Sequence, residues 1–194
     1  MAFTDDIAKV AEQVRRKAEV VSGEEAAKMA LILPFFSTLG YDIFDPTEVI
    51  PEYVADFATK KSGQMEKVDH AISINNTIVM LVEAKACDKR PETHDGQLRK
   101  YFNALHSAKV AIVTNGIEYR FFTDLRRENM MDDEPFFIFN ILNSDPKQVE
   151  NLKLFHRDNF NPLKIKRDAE EMVYLTGMTQ LADNLLRSPY RLQI

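Results

Sequence analysis

The sequence predicts an α/β fold with a central mixed β-sheet flanked by helices, and three observations predict it. Apolar residues at helical spacing mark both ends of the chain, with one further helical stretch in the middle. Between them lie short β-branched and aromatic runs bounded by turn residues. The order is two helices, a strand group, one helix, more strands and then helices, an interleaving that belongs to α/β architecture.

Residues 5–20 place Ile7, Val10, Val14, Ala18 and Val21 on one stripe, and Thr4 is the expected cap. A second helix is expected from Ser22. Ser22 and Glu25 have capping-box spacing, Pro34 is expected to kink the helix, and Gly40 is a natural stop. Val49–Phe57 reads as a strand. Val68–Ile74 and Ile78–Ala84 flank Asn75-Asn76-Thr77 and read as a hairpin. A helix follows over Glu92–His106, with Leu98, Phe102 and Leu105 on its apolar side. Val110–Thr114, Tyr119–Thr123 and Phe136–Ile141 complete the strands, with Asn115-Gly116 as the turn between the first two. Asp145-Pro146 opens a helix over Lys147–His156, and residues 164–187 are helical again. The expected division is a main domain over 1–160 and a helical extension over 161–194.

At 194 residues and 45% hydrophobic composition the chain buries one substantial core. Its net charge of −5 excludes a polycation that coats nucleic acid, yet a local basic rim can still contact phosphates. The single cysteine, Cys87, excludes an internal disulfide, and no Cys/His spacing points to structural zinc. The N-terminal residues are charged, and the most apolar stretch, Met29–Phe36, is too short to span a bilayer, so a soluble cytoplasmic protein is expected.

The chemistry is concentrated in Lys67-Val68-Asp69-His70-Ala71-Ile72 and Leu81-Val82-Glu83-Ala84-Lys85. Glu83 and Lys85 are two apart and share one strand face. Charges on a buried strand are costly unless they pair or bind a metal. Two carboxylates suit Mg²⁺, which polarises a phosphate and acidifies a bound water, and a lysine positions or deprotonates that water. Asp69 faces Glu83 only if paired residues have numbers summing to 152, which calls for a three-residue loop, Asn75, Asn76 and Thr77. A two-residue loop would put Asp69 on the other face and dismantle the site. Clustered carboxylates repel when no cation is present, so replacing Asp69 or Lys85 is expected not to lower the metal-free melting temperature.

Asp69, a gap, then Glu83-Ala84-Lys85 resembles the PD-(D/E)XK nuclease signature, with Val68 where the family name has proline. Gln97 and Tyr101 resemble the QxxxY motif of the branch that includes RecB-like enzymes and type I restriction enzyme R subunits. Gly23–Lys28, Leu33–Phe36 and Leu39–Asp42 resemble the opening helix of the R-subunit N-terminal domain, and Thr114–Phe121 its strand-turn-strand. The resemblance covers roughly residues 22–142. It implies a restriction-endonuclease-like fold and Mg²⁺- or Mn²⁺-dependent hydrolysis of DNA.

Under that resemblance Asp69, Glu83 and the Ala84 carbonyl bind metal, and Lys85 activates water. Glu24 adds a carboxylate, with Glu25 close enough to compete for the role. Gln97 orients the lysine or contacts nucleic acid, and Tyr101 supports the same helix face. Lys67 and Arg99, with Lys60, Lys61, Lys89, Arg90 and Lys100, form either solvated surface or a phosphate-tracking rim. Glu52 and Asp56 read as surface charge, with an outer contribution to the site as the alternative. His70, His94, His106 and His156 lack metal-ligand spacing, and His70 is expected on the face opposite Asp69. The sequence has no GxxxxGK[ST] phosphate loop and so no motor of its own, which leaves a stand-alone homologue, a fragment, or a subunit that borrows a motor or restriction-modification subunit as its partner. The competing reading is a catalytically inactive module of the same fold that binds nucleic acid or serves in assembly.

Overall fold

The computed structural model describes residues 3–56, 60–61, 64–91 and 96–187. Helix α1 (Phe3–Lys17) buries Ile7, Val10 and Val14, the stripe its spacing predicts. Asp5 and Asp6 in its first turn and Arg15, Arg16 and Lys17 in its last complement the helix dipole. Thr4 lies inside this helix and is not its cap.

The next helical stretch changes its hydrogen bonding midway. It runs as α2 (Glu24–Ala27), a π turn (Lys28–Ile32) and α3 (Leu33–Thr38). Pro34 supplies the physical reason, because it has no N–H for the carbonyl of Ala30 and its ring crowds that carbonyl. The π turn takes up the defect, and the Ala30 carbonyl accepts from Gln13 Nε2 of α1 at 3.4 Å instead. The expected Ser22–Glu25 capping box does not form. Gly23 is the N-cap, without a side-chain cap bond, and Glu25 pairs with Lys28. Gly40 ends the stretch at φ 87°, as expected.

Strand β1 (Val49–Tyr53) is shorter than the expected Val49–Phe57, and Phe57 lies outside the described residues. Strands β2 (Lys60–Lys61) and β3 (Gln64–Met65) pair with each other in a small second sheet. Then come β4 (Val68–Ile74), β5 (Thr77–Ala84), α4 (Gly96–Ala104), β6 (Val110–Thr114), β7 (Glu118–Phe122) and β8 (Phe137–Asn140). Residues 92–95, where the helix was expected to begin, also lie outside the description. The main sheet has six strands in the order β1-β4-β5-β6-β7-β8. Only β5 and β6 run parallel, and α4 provides the crossover that parallel neighbours need. One core, including Leu31, Phe35, Val82 and Ile112, packs on the side of α1 to α3. A second, including Leu81, Leu98, Phe102 and Ala111, packs under α4. This is an α/β architecture with a mixed sheet between helices, as expected of a restriction-endonuclease-like fold.

Asp145 caps α5 (Pro146–Asn151) through a capping box with Gln148, and Pro146 occupies the first turn. Helix α6 (Pro162–Arg187) packs through Ile165 and Ala169, while Val173, Tyr174, Met178 and Leu181 are exposed. No helix among the described residues is long and apolar enough to cross a membrane.

The β4–β5 hairpin reaches the expected register by an unexpected route. Asn75 and Asn76 both take left-handed conformations, φ 51° and 58°, as a two-residue type I′ turn requires. Thr77 is therefore in the strand, paired with Ile74, and the loop is not the three-residue one expected. Such a loop alone would send Asp69 and Glu83 to opposite faces. A bulge corrects this: Ser73 pairs with Ile78 but Ile72 with Met80, which leaves Val79 as the extra residue. Beyond it Ala71 pairs with Leu81 and His70 with Val82, the register the site requires.

The β6–β7 turn sets a second constraint. Gly116 has φ 83°, and a Cβ there would lie 2.6 Å from Leu31 Cβ in the π turn. Gly116→Ala is expected to cost about 1–3 kcal/mol through overpacking and backbone strain. Urea denaturation measures it, and an unchanged midpoint would contradict the close approach.

Candidate functional site

Backbone pairing between β4 and β5 ends at His70 and Val82. There the Asp69 side chain takes over, and its Oδ2 accepts the Ala84 N–H at 2.8 Å. This ties the first expected carboxylate to the backbone beside the second. Glu83 alternates with Leu81 and so lies on the sheet face covered by α4. Its Oε1 receives the Lys85 ammonium at 2.9 Å, the same-face contact expected two residues apart. The Lys85 N–H donates to the Thr114 carbonyl at 2.7 Å, which anchors the segment to β6. The Asp69 and Glu83 side chains are 11% and 12% exposed, and Lys85 is 29% exposed, open enough to meet a ligand.

Glu24 belongs to the same electrostatic cluster. Its carboxyl is pushed above the usual range by burial and then by the Asp69 charge, against the pull of Lys85 and Lys28. Glu25 points outward and pairs with Lys28. Of the two glutamates weighed from the sequence, Glu24 is the one on which the Asp69 and Lys85 charges act.

Lys28 is the residue that sequence reasoning missed. Its ammonium lies 2.9 Å from Asp69 Oδ1 and 3.6 Å from Glu52 Oε1, and it also pairs with Glu25. The residue is only 5% exposed. A signal was present in the chain: Lys28 shares an i, i+3, i+4, i+7 stripe with the buried Leu31, Ile32 and Phe35. A lysine on an apolar stripe needs a buried anion, and Asp69 is that anion. Glu52, read mainly as surface charge, also bonds Lys67 and has a left-handed backbone, φ 53°.

The Gln97–Tyr101 face of α4 grips the chain just before Asp69. Gln97 Nε2 donates to the Lys67 carbonyl, and Tyr101 Oη donates to the Glu66 carbonyl at 2.5 Å. Lys100 pairs with the Glu66 carboxylate. Tyr101 is fully buried, and its hydroxyl bond ties α4 to the chain just before Asp69. Tyr101→Phe is expected to cost about 1–2 kcal/mol, because the part-buried Glu66 carbonyl loses the Tyr101 hydroxyl as a donor. A thermal melt that matches wild type would show the bond to be dispensable. Arg99 is turned to another loop, bonded to the Met131 carbonyl at 3.0 Å and the Asp133 carboxylate at 2.8 Å.

Asn115 braces the segment that follows Lys85. Its Nδ2 donates to the Lys89 carbonyl at 2.8 Å and its Oδ1 accepts from Glu118 N at 2.9 Å. His70 is buried on the far side of β4 from Glu83, and burial, more than the charges around it, keeps its imidazole neutral to lower pH than usual. Burial likewise raises the Cys87 thiol. His94 lies outside the described residues.

Among the described residues no three His, Cys, Asp or Glu side chains gather closely enough to hold a metal ion. Mg²⁺ commonly takes only one or two carboxylates together with waters. Asp69, Glu83 and the Ala84 carbonyl are hard oxygen donors of that kind, so the donor chemistry fits. As they stand, the two carboxylates carry the ammonium groups of Lys28 and Lys85.

Residues 53–130 match the family model described as type I restriction enzyme R protein N terminus. No curated protein and no solved structure matches the chain. The matched stretch holds Asp69, Glu83, Lys85, Gln97 and Tyr101, while Glu24 and Lys28 precede it. Over residues 53–130, then, the chain is similar to the N terminus of type I restriction enzyme R proteins, the family its motifs resemble.

Proposed function

We propose that this chain is a metal-dependent deoxyribonuclease that hydrolyses DNA phosphodiester bonds. One observation carries the reading: within the segment related to R proteins, Asp69 is fixed to the Ala84 N–H at 2.8 Å, beside a Glu83–Lys85 pair at 2.9 Å. Asp69, Glu83 and the Ala84 carbonyl would hold Mg²⁺ or Mn²⁺. When bound, such a cation supplies charge to the scissile phosphate and acidity to a nearby water. Lys85, partly exposed and based on a strand anchored to β6, gives its proton to solvent, takes the proton of the attacking water as a neutral amine, and as the ammonium so formed faces the charge developing on phosphate. Glu24 adds negative charge at the start of α2. Gln97 and Tyr101 act through the Glu66-Lys67 backbone and set where Asp69 lies. Lys67 and Arg99 are the basic side chains proposed to meet the DNA backbone, once they leave Glu52 and Asp133. A separate motor or restriction-modification subunit is the proposed partner.

The second reading, a binding or assembly module without catalysis, draws support from one feature. Both carboxylates hold lysines, as in a structural ion-pair network. The test is incubation of supercoiled, linear duplex and single-stranded DNA with the protein in Mg²⁺ or Mn²⁺. Cleavage of any of these that stops in EDTA supports the nuclease. DNA retained but left intact under all conditions favours the binding module.

A further inference from the structure

Lys28 has no part in the reaction as proposed, yet it is the most buried ionised side chain around Asp69. Its ammonium sits between Asp69 Oδ1 at 2.9 Å on the inner side and Glu25 and Glu52 on the outer side. The inner carboxylate is 11% exposed, whereas the Glu25 and Glu52 side chains are 83% and 45% exposed. The ammonium therefore has one buried partner and two partners at the water boundary. A cleft of about 520 Å³ opens on this side, lined in part by Lys17, Glu25, Lys28, Glu52 and His70, which gives the side chain room to move outward. The lysine also starts the π turn, and Glu52 holds its left-handed backbone; both conformations are costly unless neighbouring contacts maintain them. The Lys28 ammonium ties the side chains of both segments to Asp69.

From this geometry we propose that Lys28 is an internal counter-cation that occupies Asp69 until a divalent cation replaces it, so that metal entry and outward movement of Lys28 are coupled. The inference rests on the metal-binding reading above. An oxygen that accepts from an ammonium at 2.9 Å cannot also coordinate a metal without bringing two cations into contact. Glu25 and Glu52 provide the place to which the ammonium retreats, so its charge is never left unpaired. The consequence is a site that keeps its shape without metal and binds metal more weakly than its carboxylates alone would.

Calorimetric titration of Mn²⁺ into wild type, Lys28→Met and Lys28→Arg tests this. Lys28→Met should bind Mn²⁺ about tenfold more tightly than wild type or better, because the competing charge is gone, and Lys28→Arg should not. If wild type binds and Lys28→Met binds no more tightly, the counter-cation proposal is overturned while the metal reading stands. If neither binds, both readings fall. Should Lys28→Met fail to fold, wild type answers alone. Reductive methylation read by peptide mass spectrometry should label Lys28 several-fold faster in Mg²⁺ than in EDTA, and an equal or slower rate overturns the proposal.

Discussion

Asp69→Ala is expected to lower stability by about 1–3 kcal/mol in the absence of metal, and to abolish metal binding and cleavage together. The substitution takes from the Lys28 ammonium its one buried partner, leaving it Glu25 and Glu52 at the water boundary, and takes the acceptor from the Ala84 N–H. Sequence reasoning alone predicts no loss, on the argument that clustered carboxylates repel one another in an empty site. The structure reverses that sign, because Asp69 faces an ammonium at 2.9 Å. Asp69→Asn separates the two contributions. It keeps an acceptor for Ala84 and should recover part of the stability, though none of the metal binding. Urea unfolding in EDTA measures the first effect and calorimetry the second. A stability of Asp69→Ala equal to wild type would mean that Lys28 is satisfied without it.

Lys85→Ala is expected to reduce cleavage by a factor of about 100 to 10,000, the range lost when a positioned proton-transfer group is removed. Stability should change by only about 1 kcal/mol, since the pair it makes with Glu83 is partly open to solvent. The two substitutions thus differ in kind. One removes the anion that a buried lysine needs, and the other removes a partly exposed cation. Single-turnover cleavage and thermal melting, done side by side, read both. A large melting loss for Lys85→Ala, with no cleavage by wild type, would identify a structural ion-pair network.

Much of this was legible in the chain because period and turn chemistry agree. β4 (Val68–Ile74) and β6 (Val110–Thr114) occupy the predicted residues, since β-branched runs ended by Asn-rich turns leave few alternatives. The hairpin register was legible, but its mechanism was not. Asn-Asn favours a two-residue turn, and nothing in the alternation of residues 77–84 shows that Val79 is the bulged one. The bulge is dictated by tertiary packing, which needs Glu83 on the α4 side and Val82 on the other.

The site was partly legible for a related reason. Asp69, Glu83 and Lys85 are close in sequence and carry a motif, whereas Lys28 reaches Asp69 from another helix. Its apolar stripe signalled burial but not the identity of its partner. Tyr101 was correctly placed on the Gln97 face, yet its burial depends on the chain before β4 folding over α4, a contact between segments 35 residues apart. The capping of α2 failed for a local reason. Gly23 at φ 83° sets the N-cap one residue later than Ser22, and Lys28 then captures Glu25.

The most direct test of the account is a crystal grown or soaked in Mn²⁺ and measured for anomalous scattering. The predicted result is a single peak at the open end of the hairpin, roughly 2 Å from oxygens of Asp69 and Glu83 and from the Ala84 carbonyl. Lys28 should then be turned toward Glu25 and Glu52. A map with no peak there, in which Lys28 still holds Asp69 and Lys85 still holds Glu83 at saturating Mn²⁺, would contradict it.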